Sequence, residues 1–143
     1  MTIVIAKNEQ TPWSFPDTIK TVRGTLRTAD YALEDDGNFA IERKSLPDFA
    51  STVVRDADRF ERELDRMAGW PAKIIIVEAN IFDMFEHNYP NPKISPAHLL
   101  SICADFAMRN IQVLWGGDAL GAAALALAIL KKRDQQLQAE IPF

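Results

Sequence analysis

The stretch AKIIIVEA, residues 72–79, limits the fold more than any other part of the chain. Ile74, Ile75, Ile76 and Val77 leave no polar face, so a strand built from them is buried on both sides, in the middle of a sheet covered by helices. The flanking sequence supplies the other parts. TIVIA near the start is a short β-branched run, ended by the polar KNEQTPW. ADYALEDDGNFAIERK reads as a hairpin turning at Asp35-Asp36-Gly37, with Gly37 free to take positive φ. After Pro47 the pattern becomes helical: Phe60, Leu64 and Met67 recur at helix spacing and Gly69 ends the run. Asn80 caps a short helix, Ser95 with Pro96 caps another that reaches about Arg109, IQVLW is a further strand, and Asp118 caps a final helix. Hairpin strands followed by alternating helices and strands predict an α/β fold, a mixed sheet flanked by helices on both faces.

No repeat, low-complexity block or linker interrupts the 143 residues, so residues 1–143 are expected to form a single domain. A net charge of -4 gives no molecule-wide field for polyanions, and any nucleic-acid contact must come from a local basic patch. The start lacks the basic and apolar regions of a secretory signal. The longest apolar run, Ala119 to Leu130, is shorter than the ~20 residues that cross a bilayer. A single Cys103 excludes an internal disulfide and, set in LLSICADFAM, reads as a core thiol; a cytoplasmic location is expected.

The chemistry concentrates in FAIERKSLPDF. Strand alternation puts Glu42 and Lys44 on one face and Ile41 and Arg43 on the other. A three-residue turn at 35–37 sets Asp30 opposite Glu42, so that two carboxylates and a lysine converge. A two-residue turn at 36 and 37 aligns Asp30 with Arg43 and splits the carboxylates between faces. In the first register Asp30 and Glu42 suit a hard divalent cation, which takes oxygen ligands at ~2.0–2.1 Å and keeps several waters. Such an ion offsets charge on a phosphate and activates water, while Lys44 orients that water or offsets developing charge. The plain alternative is a solvated Glu42–Lys44 pair at a strand end.

A longer pattern bears on that choice. EQTPWSF, ADYAL, FAIERKSLPDF, RFERELDRM and IIIVEA, in this order and spacing, resemble the nuclease domain of XPF/Mus81-type structure-specific endonucleases over residues 3 to about 79. The Glu-Arg-Lys-x-x-x-Asp core is specific to that family. The resemblance implies a restriction-endonuclease-like fold and Mg²⁺- or Mn²⁺-dependent cleavage of branched or flapped DNA. It carries the metal-site roles to Asp30 and Glu42 and the catalytic lysine to Lys44, with Arg43 and Asp48 completing the signature and Glu9 matching an acid of the first motif. That motif, Asp-x-Arg-Glu in the family, here reads Ala6-Lys7-Asn8-Glu9, and the family glycine before the aspartate is Ala29. One acid is therefore missing, and the expectation is slower turnover or substitution by Glu9. The tandem helix-hairpin-helix domain common in the family has no counterpart after Asp118, so the resemblance implies a bare nuclease domain. An alternative of another class is a catalytically weakened DNA-junction binding or scaffolding subunit, motivated by Ala6 and Asn8.

Secondary features have two readings each. Arg55, Arg59, Arg62 and Arg66 form one stripe if a single helix spans them, either contacting DNA phosphates or forming a solvated face paired as Asp58–Arg62 and Arg59–Glu63. Arg59 and Glu63 also fall on family positions, where internal pairing is the alternative to DNA contact. Gly121, Ala122, Ala124, Ala126 and Ala128 fit close approach of another helix, and family domains commonly dimerise; a homodimer through the helix at about 118–138 is expected, with an ordinary core helix as the alternative. Trp13 and Trp115 read as core, and His87 and His98 lack ligand spacing. QAEIPF resembles the acidic Ile-Pro-Phe terminus by which bacterial single-stranded DNA-binding proteins recruit repair enzymes, suggesting a DNA-processing partner held through Ile141, Pro142 and Phe143.

Overall fold

A computed structural model describes residues 1–140, and the tail Ile141, Pro142 and Phe143 lies outside the described residues. The chain runs β1 (Thr2–Ala6), β2 (Lys20–Gly24), β3 (Tyr31–Leu33), β4 (Ile41–Lys44), α1 (Leu46–Val54), α2 (Ala57–Arg66), β5 (Lys73–Val77), α3 (Ile81–Phe85), α4 (Pro96–Met108), β6 (Ile111–Trp115) and α5 (Ala119–Ala139). The sheet order is β2-β1-β3-β4-β5-β6, with β3 antiparallel to its neighbours β1 and β4 and every other pair parallel. The sheet is mixed, as the sequence predicts.

β5 lies inside the sheet with Ile74 through Val77 buried. Its alternate residues feed two cores. Ile75 and Val77 join Leu46, Phe49, Phe60, Leu64 and Leu99 beneath the helices of one face, while Ile74 and Ile76 join Ile3, Tyr31, Ile41 and the Ala122, Ala126, Leu130 side of α5 on the other. The small residues of α5 thus serve the sheet first. A Cβ at Gly121 would sit 2.1 Å from the Gly116 carbonyl, so glycine there admits the turn after β6. Ala124 and Ala128 remain exposed.

Several expectations need correction. β2 has no counterpart in the sequence reading, because KTVRG has neither apolar alternation nor a buried residue and forms the edge of the sheet. The hairpin turn takes positive φ at Asp35 (65°), not at Gly37. Asp tolerates that region through local hydrogen bonding, and Asp36 is held by Arg133 of α5 at 2.8 Å, which fixes the turn from outside. The helix after Pro47 breaks at Arg55 and Asp56, so Arg55 stands apart from the other three arginines. α2 ends at Arg66 with Met67 as its C-cap, and Gly69, at φ 83°, lies in the turn that follows; Ser95 and Asp118 cap α4 and α5 through their side-chain oxygens. Among the described residues no helix is long and apolar enough to cross a membrane.

Candidate active site

Five strands run in one direction, so their carboxyl ends share one edge of the sheet, the usual place for a crevice in open α/β sheets. At that edge the ladders line up one transverse row. Gly24 pairs with Ala6, and the Ala6 N–H donates to the Asp30 carbonyl at 2.9 Å. Tyr31 pairs with Ile41, the register in which Asp30 faces Glu42, and Glu42 pairs with Ile75. Of the two registers open to the sequence, the chain adopts the one that brings the carboxylates together. Ala6, Asp30 and Glu42 therefore share a sheet face. α1, α2 and α4 cover that face over β4 to β6, and an open cleft of about 520 Å³ remains beside them, lined by Asp30, Glu42, Lys44, Glu63 and Arg66, with Ala6 in its wall. Ala29, which leads into Asp30, has φ 67°, a conformation suited to the glycine it replaces in the family motif.

The two carboxylates differ in support. The Arg43 backbone N–H donates to Asp30 Oδ2 at 2.8 Å. Glu42 has a side chain only 10% exposed, and Lys44 Nζ stands 3.7 Å from its Oε1. Among the described residues its carboxylate accepts no hydrogen bond closer than that pair. Burial drives both carboxyls above the usual carboxylate range; the charge of Asp30 adds to the rise at Glu42, and Lys44 opposes it. Two hard oxygen donors short of positive charge in an open cleft fit Mg²⁺ or Mn²⁺, and no Cys or His lines the cleft to favour a softer ion. Among the described residues no three His, Cys, Asp or Glu side chains stand close enough to hold an ion together, so of such side chains Asp30 and Glu42 are the two that could hold one here.

The remaining signature residues lie elsewhere. Glu9 does not fill the place of the missing acid: its Oε2 accepts from Arg43 Nη1 and from the Tyr31 hydroxyl, each at 2.8 Å. Arg43 points to the opposite side of β4 from Glu42. There Glu78 Oε1 takes its Nε at 2.6 Å, the Thr11 carbonyl takes Nη1 at 2.7 Å, and the guanidinium lies 5.0 Å from the Trp13 ring centroid. Trp13 stacks on Tyr31 at 4.4 Å and also donates its indole N–H to Glu78, so it is core, as expected. Asp48 is exposed in the first turn of α1, where its carboxylate faces the helix dipole and its N–H donates to Ser45 Oγ.

The arginines divide. Arg66 donates through Nε to Thr28 Oγ1 at 3.0 Å on the wall of the cleft, and Arg59 borders a smaller hollow beside Lys44 and Glu63. Arg62 is exposed on the same helix, and Arg55 lines a separate groove with Pro90 and Lys93. The expected pairs Asp58–Arg62 and Arg59–Glu63 do not form; Glu63 pairs loosely with Arg66 at 3.9 Å, and Glu61 with Arg109 at 2.7 Å. α2 meets other elements at both ends, and those contacts outweigh spacing on its own surface.

Glu78, Lys7 and Arg27 were not singled out by sequence as site residues, and Glu63 was read only as a partner for Arg59 on a family position. Glu78 carried a signal, as a carboxylate directly ending the most apolar strand. Lys7 and Arg27 follow the ends of β1 and β2 on the far wall of the cleft, where an unrecognised β2 hid their proximity. His87 stacks on Tyr89 and contacts the Asn91 carbonyl at 2.9 Å, and burial raises the Cys103 thiol to about 11; neither reaches the cleft.

Sheet order and crevice position define the class, an α/β domain with a mixed six-stranded sheet and a carboxylate-lined cleft at the strand ends. A model of the ERCC4 domain matches residues 14–125, and the chain belongs to that family. Its fold is similar to that of XPF from Aeropyrum pernix, with a TM-score of 0.71 at 17% identity over 100% of this chain and 66% of that one. A second structure, of XPF from Aeropyrum pernix in complex with DNA, gives a TM-score of 0.68 at 19% identity over 94% of this chain and 66% of that one. The chain thus spans 66% of the length of these solved relatives. No protein among those with curated descriptions matches it.

Proposed function

We propose that the chain is a Mg²⁺- or Mn²⁺-dependent endonuclease that hydrolyses phosphodiester bonds in branched or flapped DNA, in repair, recombination or phage replication. The observation that carries this reading is the Tyr31–Ile41 register, which sets Asp30 beside Glu42 with Lys44 over them. Asp30 and Glu42 would hold the ion, which supplies neutralisation of phosphate charge and a more acidic water. Lys44 donates to the phosphate or orients the attacking water, in a cleft that partly excludes solvent and so strengthens each of these contacts. Arg66 on one wall of the cleft and Lys7 and Arg27 on the other hold backbone phosphates, extended along α2 by Arg59 in the adjoining hollow and the exposed Arg62, supplying locally the charge that a net -4 lacks overall. The solved XPF complex with DNA supports DNA as the ligand.

A homodimer belongs to the same proposal. Leu120, Ala124 and Ala128 make an exposed strip at i, i+4 and i+8 on the outer side of α5, suited to a second copy of that helix. Ile141, Pro142 and Phe143 are proposed as a docking tail for a DNA-processing protein. We also keep the cytoplasmic placement and the single-domain reading of residues 1–143 as parts of the proposal. The observation favouring a weakened, scaffolding subunit is Ala6, which puts a methyl group where the row could carry a third acid.

Cleavage of end-labelled 3′-flap, fork and linear duplex DNA with Mg²⁺, Mn²⁺ or EDTA separates the two. Metal-dependent cuts lost in Lys44→Ala establish the enzyme. Binding to branched DNA without cutting under either metal establishes the scaffold.

A further inference from the structure

We infer that Glu63 is the third carboxylate of the cleft, supplying from α2 the negative charge that β1 lacks at Ala6 and retaining the divalent cation across intervening water. The inference rests on the reading of Asp30 and Glu42 as direct ligands.

The transverse row explains the need. Cβ atoms of directly opposed strand residues lie roughly 4.5–5.5 Å apart, so Ala6, Asp30 and Glu42 are successive neighbours on one face. Two of the three carry charge. Lys44, at 3.7 Å from Glu42, cancels part of that charge. A cation there is held by fewer charges than the row has places for.

Glu63 is placed to make up the difference. It lines the same cleft from the helix above, and also the hollow on the other side of Lys44. Its side chain is 31% exposed and its one ion pair is the loose 3.9 Å contact with Arg66, whose Nε is already given to Thr28. Glu61, two residues earlier, shows the contrast: it is gripped by both terminal nitrogens of Arg109 on the outer surface. Glu42 adds a second observation: its side chain, nine-tenths buried in the cleft wall, has Lys44 at 3.7 Å as its ion-pair partner and no hydrogen bond to its carboxylate among the described residues, so its oxygens are left to the cleft.

Because no three acidic side chains are close enough for direct ligation, Glu63 acts at one remove. Mg²⁺ and Mn²⁺ sites of two carboxylates leave several positions to water, and a carboxylate facing those waters accepts their hydrogen bonds. Partners at that distance are typically worth roughly 10–100-fold in metal affinity.

The test is Mn²⁺ titration of the full chain by calorimetry, without DNA, in the parent, Glu63→Gln, Ala6→Asp and the double variant, each checked for folding by thermal melting. Glu63→Gln should weaken Mn²⁺ by about tenfold in the parent and by about twofold or less once Ala6→Asp supplies the charge directly. Glu63→Asp, which keeps the charge, should stay within about threefold of the parent and serves if the glutamine variant does not fold. Unchanged affinity in Glu63→Gln, or the same loss in both backgrounds, overturns the inference while leaving Asp30 and Glu42 as ligands. Mn²⁺ binding that survives Glu42→Gln and Asp30→Asn overturns the cation reading itself.

Discussion

The two sides of strand β4 are built to opposite ends. On one side Arg43 is held through Nε and Nη1: Glu9, Glu78, Thr11 and Tyr31 accept from them and Trp13 lies against its guanidinium plane. On the other side its neighbour Glu42 is equally withdrawn from water, yet meets a lysine 3.7 Å away and a second carboxylate across the row. Burying a charge is costly unless it is paired and hydrogen-bonded. One side meets that requirement within the protein, and the other leaves it unmet there, at the place proposed for a cation. The contrast separates what the signature residues do for structure from what they do for chemistry, although Glu42, Arg43 and Lys44 are consecutive.

The comparison yields predictions of decreasing size. Lys44→Ala and Glu42→Gln should each lower the cleavage rate by about 100-fold or more while the domain still melts cooperatively. Near-parent cleavage in either would place the chemistry elsewhere. Arg43→Ala should cost about 3 kcal/mol in urea unfolding, because it leaves two carboxylates partly buried and unpaired. If that variant is as stable as the parent and only its activity falls, the Arg43 side is catalytic and the contrast collapses.

Glu42→Gln should also gain about 1 kcal/mol of stability in EDTA, since the cost of burying a carboxylate, and secondarily its contact with the charge of Asp30, disappears. Saturating Mn²⁺ should raise the melting temperature of the parent and hardly change that of the variant, because only the parent gains binding energy in the folded state. A variant less stable than the parent in EDTA would mean that Glu42 is already satisfied by Lys44. Ala29→Gly tests the smallest effect. The left-handed region costs an alanine about 1–2 kcal/mol and a glycine loses up to about 1 kcal/mol in chain entropy, so a gain of about 0.5–1 kcal/mol is expected. A loss would show that the φ of 67° carries no strain.

Much of this architecture was legible from patterns strong enough to survive context. The unbroken Ile74–Val77 run identified the central strand and thereby the layers on both faces. Ser95 and Asp118 marked helix starts because capping is local chemistry, and Gly69 marked the turn after α2. The site was half legible. Alternation assigned Glu42 and Lys44 to one face, but whether Asp30 joined them depended on register, which follows from a turn whose positive φ falls at Asp35 and whose Asp36 is held by Arg133, 97 residues away in sequence. Of the two expectations for the missing acid, slower turnover or substitution by Glu9, the geometry disfavours the second: a place in a motif says nothing of the side a residue takes, and Tyr31 and Arg43 hold Glu9 on the far side. β2 was missed because an exposed edge strand needs little hydrophobic pattern, and with it went Lys7 and Arg27 as facing residues. Glu63 was read as a partner for Arg59, since helix spacing alone does not reveal that the helix overhangs a cleft.

The central claim, that Asp30 and Glu42 jointly hold a divalent cation, is tested most directly by anomalous diffraction from crystals of the full chain grown with Mn²⁺. The account predicts one strong peak within about 2.0–2.3 Å of carboxylate oxygens from both residues, with Lys44 beside it and Glu63 at one water's remove. A peak that ignores one of the two carboxylates, or a cleft without a peak at saturating Mn²⁺, would contradict it.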